Sequence, residues 1–227
     1  LEKRGLPLTV VPVDNEGFVD LNRLEEAVTD QTAIVSVQQG NQEVGTLQPV
    51  DAVAGLCRKK GALFHVDASL SFTRTGLDVR SVQADLVTVT AHKMHGPKGV
   101  GALYVRKGTA LEKIQHGGYM ENDRRAGTEN VAAAVGFGKA VEIADDASVE
   151  SVRILQKKLF AQLLEAVPDA QVNGPADAAK RLCGNVNVSF PYVEGESVVL
   201  HLDMKGIAVI TGSACFSRSL EPSYVMM

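Results

Sequence analysis

The sequence predicts an α/β protein: a mostly parallel sheet followed by a smaller α+β unit. Three observations carry this reading. Short β-branched apolar runs recur through residue 105. They alternate with helical segments that open on Asp or Pro and close on Gly. Two of the runs, residues 62–67 and 85–90, end in polar clusters, and α/β proteins gather functional groups at the carboxyl ends of strands.

The elements follow in order. Residues 9–13 read as a strand, followed by a turn at Asn15-Glu16-Gly17. Asp20 caps a short helix with apolar positions at Leu21, Leu24, Ala27 and Val28. Residues 32–37 form the next strand. Pro49 opens a helix that Gly61 stops. The strand ending at Asp67, the strand ending at Thr90, and Gly101–Val105 follow, with Gly96-Pro97 forcing a turn between the last two. Gly127-Thr128-Glu129-Asn130 begins a helix that reaches about Ala144. Residues 148–167 form another, with Val152, Leu155, Leu159, Leu163 and Leu164 on one face. After Asn173-Gly174-Pro175 the pattern changes to strand (185–190), helix (196–204) and strand (207–210). The expected domains are residues 1–145 and 146–227.

Bulk properties narrow the function classes. The chain has 227 residues, 45% of them hydrophobic and 22% charged, which is ordinary for a globular protein. A net charge of −4 and the lack of a basic run argue against nucleic acid as a partner. No apolar stretch is long enough to span a membrane. Three scattered cysteines argue against a disulfide framework, and no signal-peptide pattern is read; a reducing, cytoplasmic setting is expected. Leu1-Glu2-Lys3-Arg4-Gly5 reads as the end of a helix and Tyr224-Val225-Met226-Met227 as one barely begun, so both ends are expected to be cuts through a larger protein.

The chemistry concentrates at two strand ends. Lys93 follows the strand ending at Thr90, and Asp67 ends the strand 62–67. A lysine and an aspartate on neighbouring strand ends are what pyridoxal phosphate requires: the lysine forms the Schiff base and the carboxylate pairs with the pyridinium nitrogen. That ion pair at about 4 Å is worth ~4 kcal/mol gross at an effective dielectric of ~20. The same residues admit other readings. Lys93 suits a surface position after a strand, and Asp67 suits the cap of a helix starting at Ala68. His65, Asp67, His92 and His95 together suggest a metal site. His65, His95 and His201 otherwise read as structural or exposed, and Cys57 and Cys183 as packed. Cys215 reads either as a small buried residue or as a mobile thiol among Gly212, Ser213, Ala214 and Ser217.

Several segments together are similar to one known family. They are Asn41-Gln42-Glu43-Val44-Gly45-Thr46, His65-Val66-Asp67-Ala68, and His92-Lys93 followed by Gly96-Pro97-Lys98-Gly99-Val100-Gly101-Ala102-Leu103-Tyr104-Val105. His116-Gly117-Gly118, Arg125-Ala126-Gly127-Thr128-Glu129-Asn130, Gly212-Ser213-Ala214-Cys215 and Ser219-Leu220-Glu221-Pro222-Ser223-Tyr224-Val225 complete the series. The chain resembles cysteine desulfurases of the class V aminotransferase group from end to end.

The resemblance implies an aspartate-aminotransferase-like (fold type I) domain that binds pyridoxal 5'-phosphate, in a homodimer. Lys93 would form the Schiff base and later shuttle the substrate α-proton. Asp67 would hold the ring nitrogen, and Thr90 and His92 the phosphate. Thr128, at a helix N-terminus, would reach the phosphate of the partner subunit's cofactor. Cys215 would take sulfur from L-cysteine as a persulfide and pass it to an acceptor or scaffold protein, for iron–sulfur clusters or thiolated cofactors.

The match departs from the family in places. The family usually has two asparagines at Asn41-Gln42, the second touching the cofactor phenolate. Gln42, with its longer arm, and Asn41 are both candidates for that bond. Leu70 stands where the family has a glutamine, and leucine cannot donate. Family members extend beyond both ends, so this chain alone is expected to bind cofactor weakly and turn over poorly. Three other functions compete: selenocysteine lyase, a catalytically idle scaffold that docks a sulfur acceptor, and a metal hydrolase.

Overall fold

A computed structural model describes Lys3, residues 5–212, Ser223, Val225 and Met226. The chain divides into two compact units. One comprises Glu25–Gln39 and Pro49–Asp145; the other comprises the described residues up to Leu24, Gly40–Gln48, and the described residues from Asp146 onward.

In the first unit, β1 (Ile34–Gln38), β2 (Leu63–Asp67), β3 (Leu86–Thr90) and β4 (Gly101–Val105) form one sheet in that order. β1, β2 and β3 pair in parallel, and β4 runs antiparallel to β3. The parallel pairs are joined through helices, as expected. The antiparallel turn-back is the one exception in the mostly parallel sheet that the sequence predicts. Its cause is length: residues 91–100 fall short of the dozen or so that a parallel crossover needs.

α2 (Val50–Lys60) lies between β1 and β2 and ends at Gly61, which has φ 74° and returns N–H bonds to Arg58 and Cys57. Its Val53, Ala54 and Cys57 are buried, as are Phe64 and Val66 on one face of β2 and Val87 on β3. The alternate β2 residues Leu63, His65 and Asp67 are only half-buried. The sheet therefore has an apolar core face and a second face carrying the polar side chains. A short helix, α3 (Val79–Val82), which the sequence reading does not include, is capped by Asp78 accepting from Arg80 N–H. α4 (Met120–Asp123) is a single turn in which Glu121 and Asn122 have left-handed backbone. α5 (Val131–Ile143) starts at Asn130, whose side chain accepts from Ala133 N–H.

The second unit contains most of α1 (Leu21–Ala27), α6 (Asp146–Ala166), α7 (Gly195–Asp203) and the antiparallel pair β5 (Gln171–Val172) and β6 (Val188–Ser189). Asp20 Oδ1 caps α1, accepting from Asn22 and Arg23 N–H. Three sequence expectations change here. Residues 9–13 form no strand beyond an isolated bridge between Val13 and Val19, and Val10 is exposed. The strand expected over 185–190 shrinks to β6, because Asn185 and Asn187 turn their side chains to backbone carbonyls of Gln42 and Glu43. Residues 207–210 are irregular, with Ile207, Val209 and Ile210 exposed.

The apolar stripe of α6 is also not its anchoring face. Val152, Leu155 and Leu159 are exposed, whereas Gln156 is buried and donates to the carbonyls of Leu182 (2.9 Å) and Asn185 (2.6 Å). The centre of this unit is a buried guanidinium. Arg181 donates to the carbonyls of Pro175 and Asn173 and to Asn185 Oδ1, and lies over the Phe160 ring.

Candidate active site

The lysine is presented by a single turn. Residues Ala91–Met94 continue β3 as a 3₁₀ helix, and His95 closes it with left-handed backbone (φ 62°). Ala91 and Met94, three apart, are buried with Phe137 and Ala140 of α5, and Phe72 and Val89 pack around them. Eclipsed i, i+3 positions of a 3₁₀ turn share one side, so His92 and Lys93 face outward and are exposed. Gly96 permits this seat: a Cβ there would lie 2.9 Å from the Ala91 carbonyl oxygen. Gly136 lets Pro97 approach α5, since its Cβ would lie 2.7 Å from Pro97 Cγ. Arg74 Nη2 donates to the Lys93 carbonyl at 3.0 Å, a restraint that local sequence does not announce.

Asp67 ends β2, the neighbouring strand, in register with Gln38 of β1 and Thr88 of β3. Its Oδ1 accepts from Ser69 N–H at 2.9 Å. No helix begins at Ala68, so Asp67 caps none; its carboxylate closes a turn instead, and that bond fixes it without removing its charge. Thr90 Oγ1 lies 2.8 Å from His92 Nδ1. Both residues border a shallow cavity of about 540 Å³ along β3 and β4, lined also by Thr88 and residues 99–103. Thr128 borders an adjoining cavity of about 370 Å³, which shares residues 99–101 with the first and is lined also by Glu121, Arg125, Glu129 and Asn130. Arg125 is tied by Glu121 and by the Ala126 and Gly127 carbonyls, rather than being a solvated cation.

The first unit thus brings together Asp67, Thr90, His92 and Lys93 at adjacent strand ends and holds Thr128 at the foot of α5. Asn41 and Gln42 belong to the second unit. There Asn41 Oδ1 accepts from the N–H groups of Glu43 (2.8 Å) and Val44 (3.0 Å), while the Gln42 side chain is exposed. Leu70 lies half-buried in the turn after Asp67. Cys215 falls outside the described residues. Among those described, no group of three or more His, Cys, Asp or Glu side chains is placed to hold a metal, and no helix is long and apolar enough to cross a membrane.

The donor set suits pyridoxal phosphate. The Asp67 carboxylate would pair with a cationic ring nitrogen, the outward Lys93 amine would meet an aldehyde, and the Thr90 hydroxyl with the His92 imidazole would meet a phosphate. Cys57 and Cys183 are buried, and burial pushes the Cys57 thiol up to about 11. At neutral pH such a thiol is ionised to only about one part in 10⁴. Iodoacetamide is therefore expected to leave Cys57 and Cys183 unmodified until denaturant is added. A Cys57 adduct from the folded protein, found by peptide mass mapping, would contradict this.

Comparison with known proteins shows the family of the chain. The Aminotransferase class-V profile matches residues 1–227. The cysteine desulfurase IscS of Clostridium botulinum is 44% identical over 230 residues, covering all of this chain and 58% of the relative. Cysteine desulfurase IscS 1 of Archaeoglobus fulgidus is 45% identical, with 100% and 59% covered. Among solved structures, a NifS-like protein superposes with a TM-score of 0.83 at 36% identity, covering 92% of this chain and 58% of the other. A structure described as SspA in complex with cysteine gives 0.81 at 28% identity, covering 99% and 62%. The chain spans somewhat more than half the length of these relatives. Its mostly parallel α/β sheet is that of the fold type I enzymes, and the chain belongs to the class V aminotransferase family.

Proposed function

We propose that the full-length protein is a cysteine desulfurase, which takes sulfur from L-cysteine with pyridoxal phosphate and leaves it as a persulfide on Cys215. The observation that carries this reading is the placement of Asp67 and His92-Lys93 at the carboxyl ends of two adjacent parallel strands. When bound, the cofactor supplies the electron sink that lets a bond at the substrate α-carbon break.

The residues supply the rest. Asp67, held by Ser69, presents a fixed negative charge to the ring nitrogen and keeps it protonated. Thr90 and His92 offer paired polar groups for the phosphate. Lys93 anchors the cofactor, and its amine, once free, accepts and returns the α-proton. Thr128 and Arg125 line one cavity; in a homodimer with shared sites Thr128 would reach the phosphate of the partner subunit's cofactor. The Cys215 thiolate would attack the substrate sulfur as the bond from that sulfur to the substrate β-carbon breaks; the electron pair stays on the carbon fragment, which takes up a proton and leaves as L-alanine, and the Cys215 persulfide passes its outer sulfur to an acceptor protein for iron–sulfur cluster or thio-cofactor assembly. Two buried, reduced cysteines suit a cytoplasmic setting.

The test is Cys215→Ser in the full-length protein. The cofactor's visible band should remain while sulfide release from cysteine falls to background. Undiminished release would remove Cys215 from the reaction. A higher rate with selenocysteine than with cysteine would shift the assignment to selenocysteine lyase.

A further inference from the structure

We propose that His65 is a positioning residue for Asp67: its imidazole, seated between the hydroxyls of Ser36 and Thr88, fixes the sheet face from which the Asp67 carboxylate meets the cofactor ring. The proposal rests on the cofactor reading above and concerns a residue that the desulfurase chemistry does not use.

The geometry is specific. His65 lies two residues before Asp67 on the same, half-buried face of β2. Ser36 is its register partner on β1, and Thr88 is the register partner of Asp67 on β3. Ser36 Oγ stands 2.7 Å from His65 Nδ1, and Thr88 Oγ1 stands 2.8 Å from Nε2. Neighbouring strands are about 4.8 Å apart, so one ring bridges two ladders. With both nitrogens engaged, the imidazole cannot turn without breaking a bond. The three strands are thereby tied side chain to side chain immediately behind the Asp67 carboxylate.

The chemistry follows from what a neutral imidazole can do. It has one donor and one acceptor, and the two hydroxyls complement both. With the proton on Nε2, His65 donates to Thr88 Oγ1 and accepts from Ser36. The Thr88 hydroxyl then keeps its own hydrogen to donate on the strand pair that it shares with Asp67. Burial pushes His65 below its ordinary value of 6.5, while the Asp67 charge opposes that shift. Among the side chains facing His65 from the three strands (Ser36, Gln38, Leu63, Asp67, Leu86 and Thr88), Asp67 is the sole ionisable group. An uncharged His65 leaves the full Asp67 charge for the ring nitrogen. Reciprocally, a cationic ring paired with Asp67 withdraws the support that charge gives to imidazolium.

The experiment uses the full-length protein. An NMR titration of the His65 ring, without and with pyridoxal phosphate, should give a midpoint below 6.5 that falls further on loading. His65→Phe keeps a flat ring and loses both bonds. It should weaken cofactor affinity by about ten-fold, the scale of a net hydrogen-bond contribution, and move the pH titration of the visible band. His65→Gln keeps one donor and one acceptor and should recover part of both. Equal His65 midpoints with and without cofactor would overturn the proposal, and so would an unmoved band titration in both variants. If His65→Phe fails to fold, the titration of the unaltered protein decides. No visible band in the unaltered protein would defeat the desulfurase reading and this proposal together. A normal band with an indifferent His65 would defeat this proposal alone.

Discussion

Lys93→Ala in the full-length protein is expected to abolish the covalently held cofactor and lower sulfide release by at least about 10³-fold, since the proposed anchor and the proposed proton shuttle go together. Folding should be nearly untouched. The Lys93 side chain is exposed, and the turn that carries it is held by Ala91 and Met94 in the core and by Arg74 at the Lys93 carbonyl. Borohydride reduction followed by peptide mapping checks the claim directly, with the cofactor expected on the Lys93 peptide of the unaltered protein. Attachment elsewhere, or retained turnover in the alanine variant, would overturn the assignment.

The largest effect on stability is expected at the buried guanidinium. Arg181 is 2% exposed and donates to Pro175 and Asn173 carbonyls and to Asn185 Oδ1. Burial lowers its proton affinity, so the charge is kept at a desolvation cost that these acceptors and the Phe160 ring offset. Arg181→Ala would strand three acceptors and open a void, costing about 3–5 kcal/mol. For a chain of this size that is a fall in melting temperature of roughly 6–20 °C. Thermal unfolding followed by circular dichroism measures it. A shift under about 2 °C would show that water or neighbouring side chains replace the bonds at little cost.

The asymmetry between these variants explains what the sequence could and could not display. Strand ends were legible because β-branched runs stop abruptly at Asp67 and Thr90, and period-2 alternation alone puts His65 on the Asp67 face. Helix limits were legible at Pro49, Gly61 and Asn130, where φ restriction or side-chain capping acts locally. The α6 stripe misled, since helical periodicity marks a face without saying that anything covers it; Gln156 makes the buried contacts instead. Residues 207–210 have strand-like composition but pair with no strand among the described residues, and a strand forms only where another supplies hydrogen bonds.

By itself the sequence determined the alternating α/β order, the polar strand ends at Asp67 and Thr90 and the family-like motif series, because capping, turn chemistry and side-chain period are local properties of the chain. Only tertiary structure decided that β4 turns back antiparallel, that Arg74 steadies the lysine turn, that Ser36, His65 and Thr88 meet across three strands, and that Arg181 sits buried among carbonyls. Each of these joins groups distant along the chain or trades desolvation against bonds made elsewhere, and such balances exist only once the backbone has placed the partners together.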